Sequence, residues 1–313
     1  MDAIDAGIIR EFSGPDGAYQ WNVRHPYSAI ARKIGVDEET IRRRVHGMWQ
    51  SGLIWGSELI VNPYLLGREP VRMLLDASSG ESSSKKEIIS QLKLVDGVLL
   101  IINTLGEGLQ IFLFCENEDA ISRRTQLIAS ICKSKEEPWI LRNLDALGLP
   151  PCRLKLSKTD LLILKSLRTD PRKSTRRVGT ETGVSTRTVE RRIRTLTDAG
   201  AFYHMFQLDF QKLDGVAASI TVSFHSEKTK RKLDSMIVSR LERLFYSKTN
   251  AKSTSQFNFA CANVGEAEQI FEWIQELDGV LEARMGIIKE YILNSEWIDG
   301  EIDRMLARST RAS

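Results

Sequence analysis

Two stretches of this chain lie on one another without a gap. The run from Ile30 to Val45 aligns with the run from Val178 to Ile193 at an offset of 148 residues. The alignment places Gly35 on Gly183, Val36 on Val184, Thr40 on Thr188, Arg43 on Arg191, Arg44 on Arg192, Gly52 on Gly200 and Gly67 on Gly215. Upstream, Asp5-x-x-Ile8-Ile9 matches Asp160-x-x-Ile163-Leu164 at an offset of 155, so the first copy carries seven extra residues within Ser13–Arg24. A repeat of this length constrains the fold strongly, because one backbone must suit both copies. The copies run over roughly 1–142 and 155–299, joined by a linker at 143–155 that contains Pro150-Pro151.

Each copy opens with helical patterns. In the second, Leu161, Leu164, Leu167 and Val178 give the apolar spacing of two helices, with Pro171 in the break between them. Gly183-Val184-Ser185 then forms a tight turn whose serine caps the next helix, predicted over Thr186–Ala199 with Val189, Ile193 and Leu196 inward and Gly200 as its stop. The first copy repeats this with Gly35 in the turn, Asp37 as cap, Ile41, Val45 and Met48 inward and Gly52 at the end. Helix, glycine turn and capped helix make a helix-turn-helix. The strips Leu53–Val61 and Ala201–Leu208 follow as wings. The remainder of each copy alternates as βαββαβ, the order of a ferredoxin-like sandwich. The fold class is therefore α+β. Winged helix-turn-helix units are expected at 1–62 and 156–208, ferredoxin-like domains at 63–142 and 209–299, and a C-terminal tail at 300–313.

This arrangement resembles the Lrp/AsnC family of transcription regulators. The resemblance is clearest where Leu156-Ser157-Lys158-Thr159-Asp160 precedes Asp170-x-Arg172-Lys173-Ser174, and in the run Gly183-Val184-Ser185-x-x-Thr188-Val189-x-Arg191-Arg192-Ile193. It spans nearly the whole chain, twice, and implies a head that binds double-stranded DNA and a tail that senses an effector and forms oligomers. One chain would then stand in for a dimer of single-copy proteins. The free sheet faces of the ferredoxin-like domains point to a homodimer or higher oligomer of chains.

Net charge is +3, too small to indicate a partner until it is located. Residues 153–207 hold thirteen Lys/Arg against five Asp/Glu, a local +8, whereas residues 1–62 come to −1. With the apolar positions inward, Arg187, Arg191 and Arg194 share an outward face, and Thr186 and Thr188 occupy the first turn, where a recognition helix meets base edges. Arg176 and Arg177 lie on the preceding helix and are expected at phosphates. In the first copy Thr40, Arg42 and Arg43 are the corresponding DNA candidates. There Glu39, Arg43 and His46 replace Arg187, Arg191 and Arg194, and Asp37, Glu38 and Glu39 repel phosphate. The second head is therefore expected to supply most of the DNA affinity. Solvated helix faces remain the plain alternative for these arginines.

The family places effectors on loops of the ferredoxin-like domains. Thr104-Leu105-Gly106-Glu107-Gly108 makes Thr104, Gly106 and Gly108 candidates for a small amino-acid-like ligand, although a plain hairpin turn accounts for both glycines. The equivalent stretch 250–255 has no glycine.

Other classes have less support. The longest apolar run is Val98–Ile102, far short of a membrane span, and the acidic start Met1–Asp5 gives no signal-peptide pattern. Four cysteines without a C-x-x-C pair and four scattered histidines suggest neither a disulfide framework nor a metal site. No catalytic residue or cofactor is expected, and a cytoplasmic, nucleoid-associated location follows. The rival reading is an enzyme. Fused tandem chains of this architecture also resemble sirohaem decarboxylases, and Arg24-His25-Pro26-Tyr27 has some of that character. A third reading is an effector-binding or assembly protein that does not touch DNA.

Overall fold

A computed structural model describes residues 2–13, 24–77, 84–142, 152–168, 170–241 and 245–311. Most of the seven-residue insertion and of the 143–155 linker lies outside these residues.

The first head consists of α1 (Ala3–Ser13), α2 (Tyr27–Ile34) and α3 (Glu38–Gln50), the second of α6 (Lys158–Leu167), α7 (Thr175–Thr182) and α8 (Thr186–Asp198). The caps are those the sequence predicts. Asp37 accepts from the Thr40 amide at 2.7 Å, and the Ser185 hydroxyl accepts from the Thr188 amide at 3.2 Å. Gly35 and Gly183 end α2 and α7 at φ 82° and 70°, a left-handed conformation that disfavours a side chain.

The two wing strips are not separate wings. Strand β1 (Ile54–Val61) pairs antiparallel with β6 (Phe202–Leu208), setting Ser57 opposite Phe206 and Glu58 opposite Met205. Each is mostly apolar and buries more residues than a solvated wing would, so one shared ribbon ties the heads together. Asn62 adds to the tie. Its amide nitrogen donates to the Gly200 carbonyl at 2.7 Å and its backbone N–H to the Ala201 carbonyl at 2.9 Å.

The first ferredoxin-like half runs β2 (Glu69–Asp76), α4 (Lys85–Leu92), β3 (Val98–Thr104), β4 (Gly108–Cys115), α5 (Glu118–Cys132) and β5 (Trp139–Leu141). The second runs β7 (Val216–Phe224), α9 (Glu227–Leu241), β8 (Phe245–Asn250), β9 (Thr254–Cys261), α10 (Val264–Gln275) and β10 (Val280–Leu293). β10 is fourteen residues long. Its first part pairs with β7 and its last part with β3, so both halves share one eight-stranded sheet in the order β5-β2-β4-β3-β10-β7-β9-β8.

Period-two patterning sorts the two faces of this sheet. Ala218, Ile220 and Val222 of β7 and Leu109, Ile111 and Leu113 of β4 pack beneath the helices. Gln110, Ser219, Thr221 and Gln256 take the opposite face and are buried. The sheet coils until these polar faces meet: the Gln110 amide donates to the Ser219 hydroxyl at 2.8 Å, and Gln256 donates to Gln110 Oε1 at 2.9 Å. Arg72, fully buried over the Phe112 ring, donates to the same Gln110 oxygen. The faces read from sequence as free for a homodimer are thus covered within the chain.

Residues 300–311, expected as a tail, continue helix α11 (Ser295–Arg311). Ile298 and Ile302 join the core, while Asp299 pairs with Arg168 at 2.7 Å and Asp303 with Lys165 at 2.5 Å, both at the end of α6. The four cysteines are buried free thiols.

Candidate nucleic-acid interface

α8 buries Val189, Ile193 and Leu196 and turns Arg187, Arg191 and Arg194 to solvent. Among the described residues these three guanidinium groups have no carboxylate partner, so their charge is available to a ligand. Thr186 is exposed, whereas the Thr188 hydroxyl accepts from Ser185 at 2.9 Å as part of the cap.

The neighbouring Arg192 has a different role. It turns inward to Asp160 at 2.7 Å and the Ser157 hydroxyl at 2.8 Å, pinning the start of α6 to α8. In the first head Arg44 makes the equivalent contacts, to Asp2 at 2.7 Å and Asp5 at 3.6 Å. On α7 the two phosphate candidates divide. Arg176 is exposed without an ion pair among the described residues, whereas Arg177 pairs with Glu181 at 3.1 Å. Glu181 also takes Lys173 at 2.8 Å and the Ser166 hydroxyl at 2.6 Å; those bonds, Lys173 first, hold its carboxyl down to about 2. Arg177 therefore brings less free charge than its position suggests.

The first head is weaker in the same terms. Arg42 is engaged by Glu38 at 2.8 Å and Glu39 at 3.4 Å. Thr40 spends its hydroxyl on Asp37 at 2.9 Å, and the Thr40 amide and hydroxyl keep the Asp37 carboxyl below the usual carboxylate range. Arg43 is exposed and has no ion pair among the described residues.

The effector candidates form a closed hairpin. The Thr104 hydroxyl donates to the Gly108 carbonyl at 2.7 Å, and Gly106 sits at φ 70°. Sequence reasoning missed Lys85, whose ammonium donates to the carbonyls of Thr104, Gly106 and Gly108 at 2.7, 2.8 and 2.9 Å. The loop's inward acceptors are therefore already filled by the chain itself. Nothing in a lone lysine after a helix cap signals such a contact. Burial, followed by the nearby Lys289, brings the Lys85 ammonium down to about 8. Thr104 and Gly108 border a cleft of about 560 Å³, but Gly106 does not. Asp76, Glu136 and Glu282 line this cleft with Arg284, which donates to Glu282 at 3.0 Å and lies 4.5 Å over the Trp139 ring. Its walls are thus acidic on balance. Among the described residues no cluster could hold a metal ion, and no helix is long and apolar enough to cross a membrane.

Residues 156–201 match a family model described as winged helix-turn-helix DNA-binding. Over 107 residues the chain is 32% identical to the HTH-type transcriptional regulator Ptr1 of Methanocaldococcus jannaschii, which covers 34% of this chain and 66% of that protein, just under two thirds of its length. Over 148 residues it is 28% identical to the regulatory protein AsnC of Escherichia coli K12, covering 46% of this chain and 91% of that one. Among solved structures, the siroheme decarboxylase NirDL in complex with an iron-uroporphyrin III analogue covers 97% of this chain and 99% of its own, at a TM-score of 0.55 and 12% identity. That last likeness is one of fold alone. The chain thus carries a winged helix-turn-helix, has the expected α+β fold, and is similar in sequence to transcription regulators of the Lrp/AsnC type.

Proposed function

We propose that this chain is a sequence-specific, double-stranded-DNA-binding transcription regulator of the Lrp/AsnC type, a tandem in which α8 enters the major groove. One observation carries the reading: Arg187, Arg191 and Arg194 stand exposed, with no carboxylate partner among the described residues, along one face of a capped helix whose opposite face is buried. In the first head, by contrast, Arg42 is neutralised by Glu38 at i,i+4. The Arg176 guanidinium adds a phosphate contact, and α3 contributes Arg43. Such a regulator acts in the cytoplasm on the nucleoid, and a small amino-acid-like effector near Thr104 and Gly108 would modulate it. Further assembly into a homodimer would use surfaces other than the polar sheet faces, which meet within the chain. Genome-wide footprinting tests the reading: defined occupied sites support it, and absence of occupancy removes it.

The fold likeness to a siroheme decarboxylase favours a second reading, an enzyme acting on a tetrapyrrole. The charge of the cleft opposes it. Three carboxylates against one guanidinium, itself bonded to a carboxylate, repel a polycarboxylate macrocycle. Incubation with sirohaem followed by the mass of the recovered tetrapyrrole decides: loss of carboxyl groups establishes the enzyme, and an unchanged mass leaves the regulator.

A further inference from the structure

We propose that the DNA element this chain recognises is non-palindromic and is bound by one chain in one orientation. The inference rests on the DNA-binding reading above and adds the form of the element.

The two recognition helices share a backbone design. α3 and α8 are each thirteen residues long and are capped alike, by Asp37 on the Thr40 amide and Ser185 on the Thr188 amide. They are also held in one body. Ser57 pairs with Phe206 and Glu58 with Met205 in the ribbon; Ser57 is equivalent to Met205, and Glu58 to Phe206, at the offset of 148. The middle of the ribbon therefore relates one head to the other as the two halves of a dimer are related.

The outward faces share one arginine and differ at the two positions that flank it. Where α8 has Arg187, Arg191 and Arg194, α3 has Glu39, Arg43 and His46. Guanine presents acceptors, O6 and N7, in the major groove, which suit a guanidinium and repel a carboxylate. Glu39 can only accept, from the amino group of cytosine or adenine. Its side chain is 79% exposed, so the difference lies at the surface a duplex would meet. Equivalent positions of the two half-sites thus call for different bases, and an inverted repeat satisfies only one head. A second chain does not restore the palindrome, because each α8 is already joined to an α3 through the β1–β6 ribbon.

The test is selection from random-sequence duplex by the full chain, together with the mass of the complex on the selected site. The expected result is one guanine-bearing half without an inverted copy, and one chain per duplex. Arg187→Ala should then lose about tenfold or more of its preference for that guanine. Glu39→Arg, an exposed change that leaves the Asp37 cap intact, should shift selection toward an inverted repeat. A palindromic motif from the unmodified chain, or two chains on each site, overturns the proposal. Failure to select any sequence overturns the DNA-binding reading, and this proposal with it.

Discussion

Arg24 and Arg172 reach across to each other's segments. The Arg24 guanidinium donates to the Pro171 carbonyl at 2.5 Å and the Lys173 carbonyl at 3.0 Å, while Arg172 donates to the His25 carbonyl at 3.1 Å and lies 4.2 Å over the Tyr27 ring. The two arginines are 148 residues apart, so the contact is reciprocal between equivalent positions. Truncating Arg24 leaves two carbonyls without their charged donor at the junction of the heads. Arg24→Ala should lower unfolding free energy by about 1–3 kcal/mol with little change in denaturant slope. A urea midpoint equal to that of the unmodified chain would show that the clasp contributes nothing.

Adjacent arginines on α8 should separate cleanly. Arg191 is exposed with no ion pair among the described residues, whereas Arg192 is bonded to Asp160 and Ser157. Arg191→Ala should weaken DNA binding about tenfold or more at fixed salt and leave the melting temperature nearly unchanged. Arg43→Ala in the first head should cost clearly less, because the Asp37, Glu38 and Glu39 carboxylates already disfavour phosphate there. Arg192→Ala should instead reduce stability by about 1–3 kcal/mol. Equal binding losses for Arg191→Ala and Arg43→Ala in a salt-controlled titration would refute the assignment of affinity to the second head.

These contrasts also show where sequence stops being informative. Helix α8 and its cap are legible because they are local: Ser185 and Thr188, or Val189 and Ile193, lie within a turn or so of one another. The strand and helix order of each ferredoxin-like half is legible for the same reason. The pairing of β1 with β6 is not, since Ser57 and Phe206 are far apart in sequence and either strip alone reads as an ordinary wing. Nor is the extension of β10 onto β3, which depends on Tyr291 and Ile292 finding Ile102 and Ile101. Lys85 and Arg72 acquire their partners only through tertiary packing. The exposed arginines of α8 stand out in sequence by charge, but whether a given one is free or pinned, as with Arg191 and Arg192, depends on what lies opposite.

Arg72 should prove a structural centre of the molecule. It is a fully buried guanidinium, stacked on Phe112 and bonded to the Gln110 oxygen that also receives Gln256 from the other half of the sheet. Arg72→Ala opens a cavity and removes a charged donor from a buried polar network. The expected loss is about 2–5 kcal/mol, read by urea or thermal unfolding. A loss below about 1 kcal/mol would mean that the meeting of the two half-sheets does not depend on this residue.

Acid should act on the join between the heads through His204. This residue lies in β6 opposite Leu59, 1% exposed, with its ring 5.2 Å from that of Phe202. Burial first, then the charge of Arg24, pushes its imidazolium down to about 3 from an ordinary 6.5. The folded chain therefore keeps His204 neutral while the unfolded chain takes up a proton below 6.5. Stability from this group is fully present above 6.5 and declines as pH falls toward 3, by at most about 1.4 kcal/mol per pH unit. His204→Leu removes the proton acceptor and keeps an apolar side chain in the ribbon. Between pH 7 and 4.5 the variant should lose about 2–3 kcal/mol less than the unmodified chain, measured by urea unfolding at each pH. Parallel losses in the two proteins would place the acid sensitivity elsewhere.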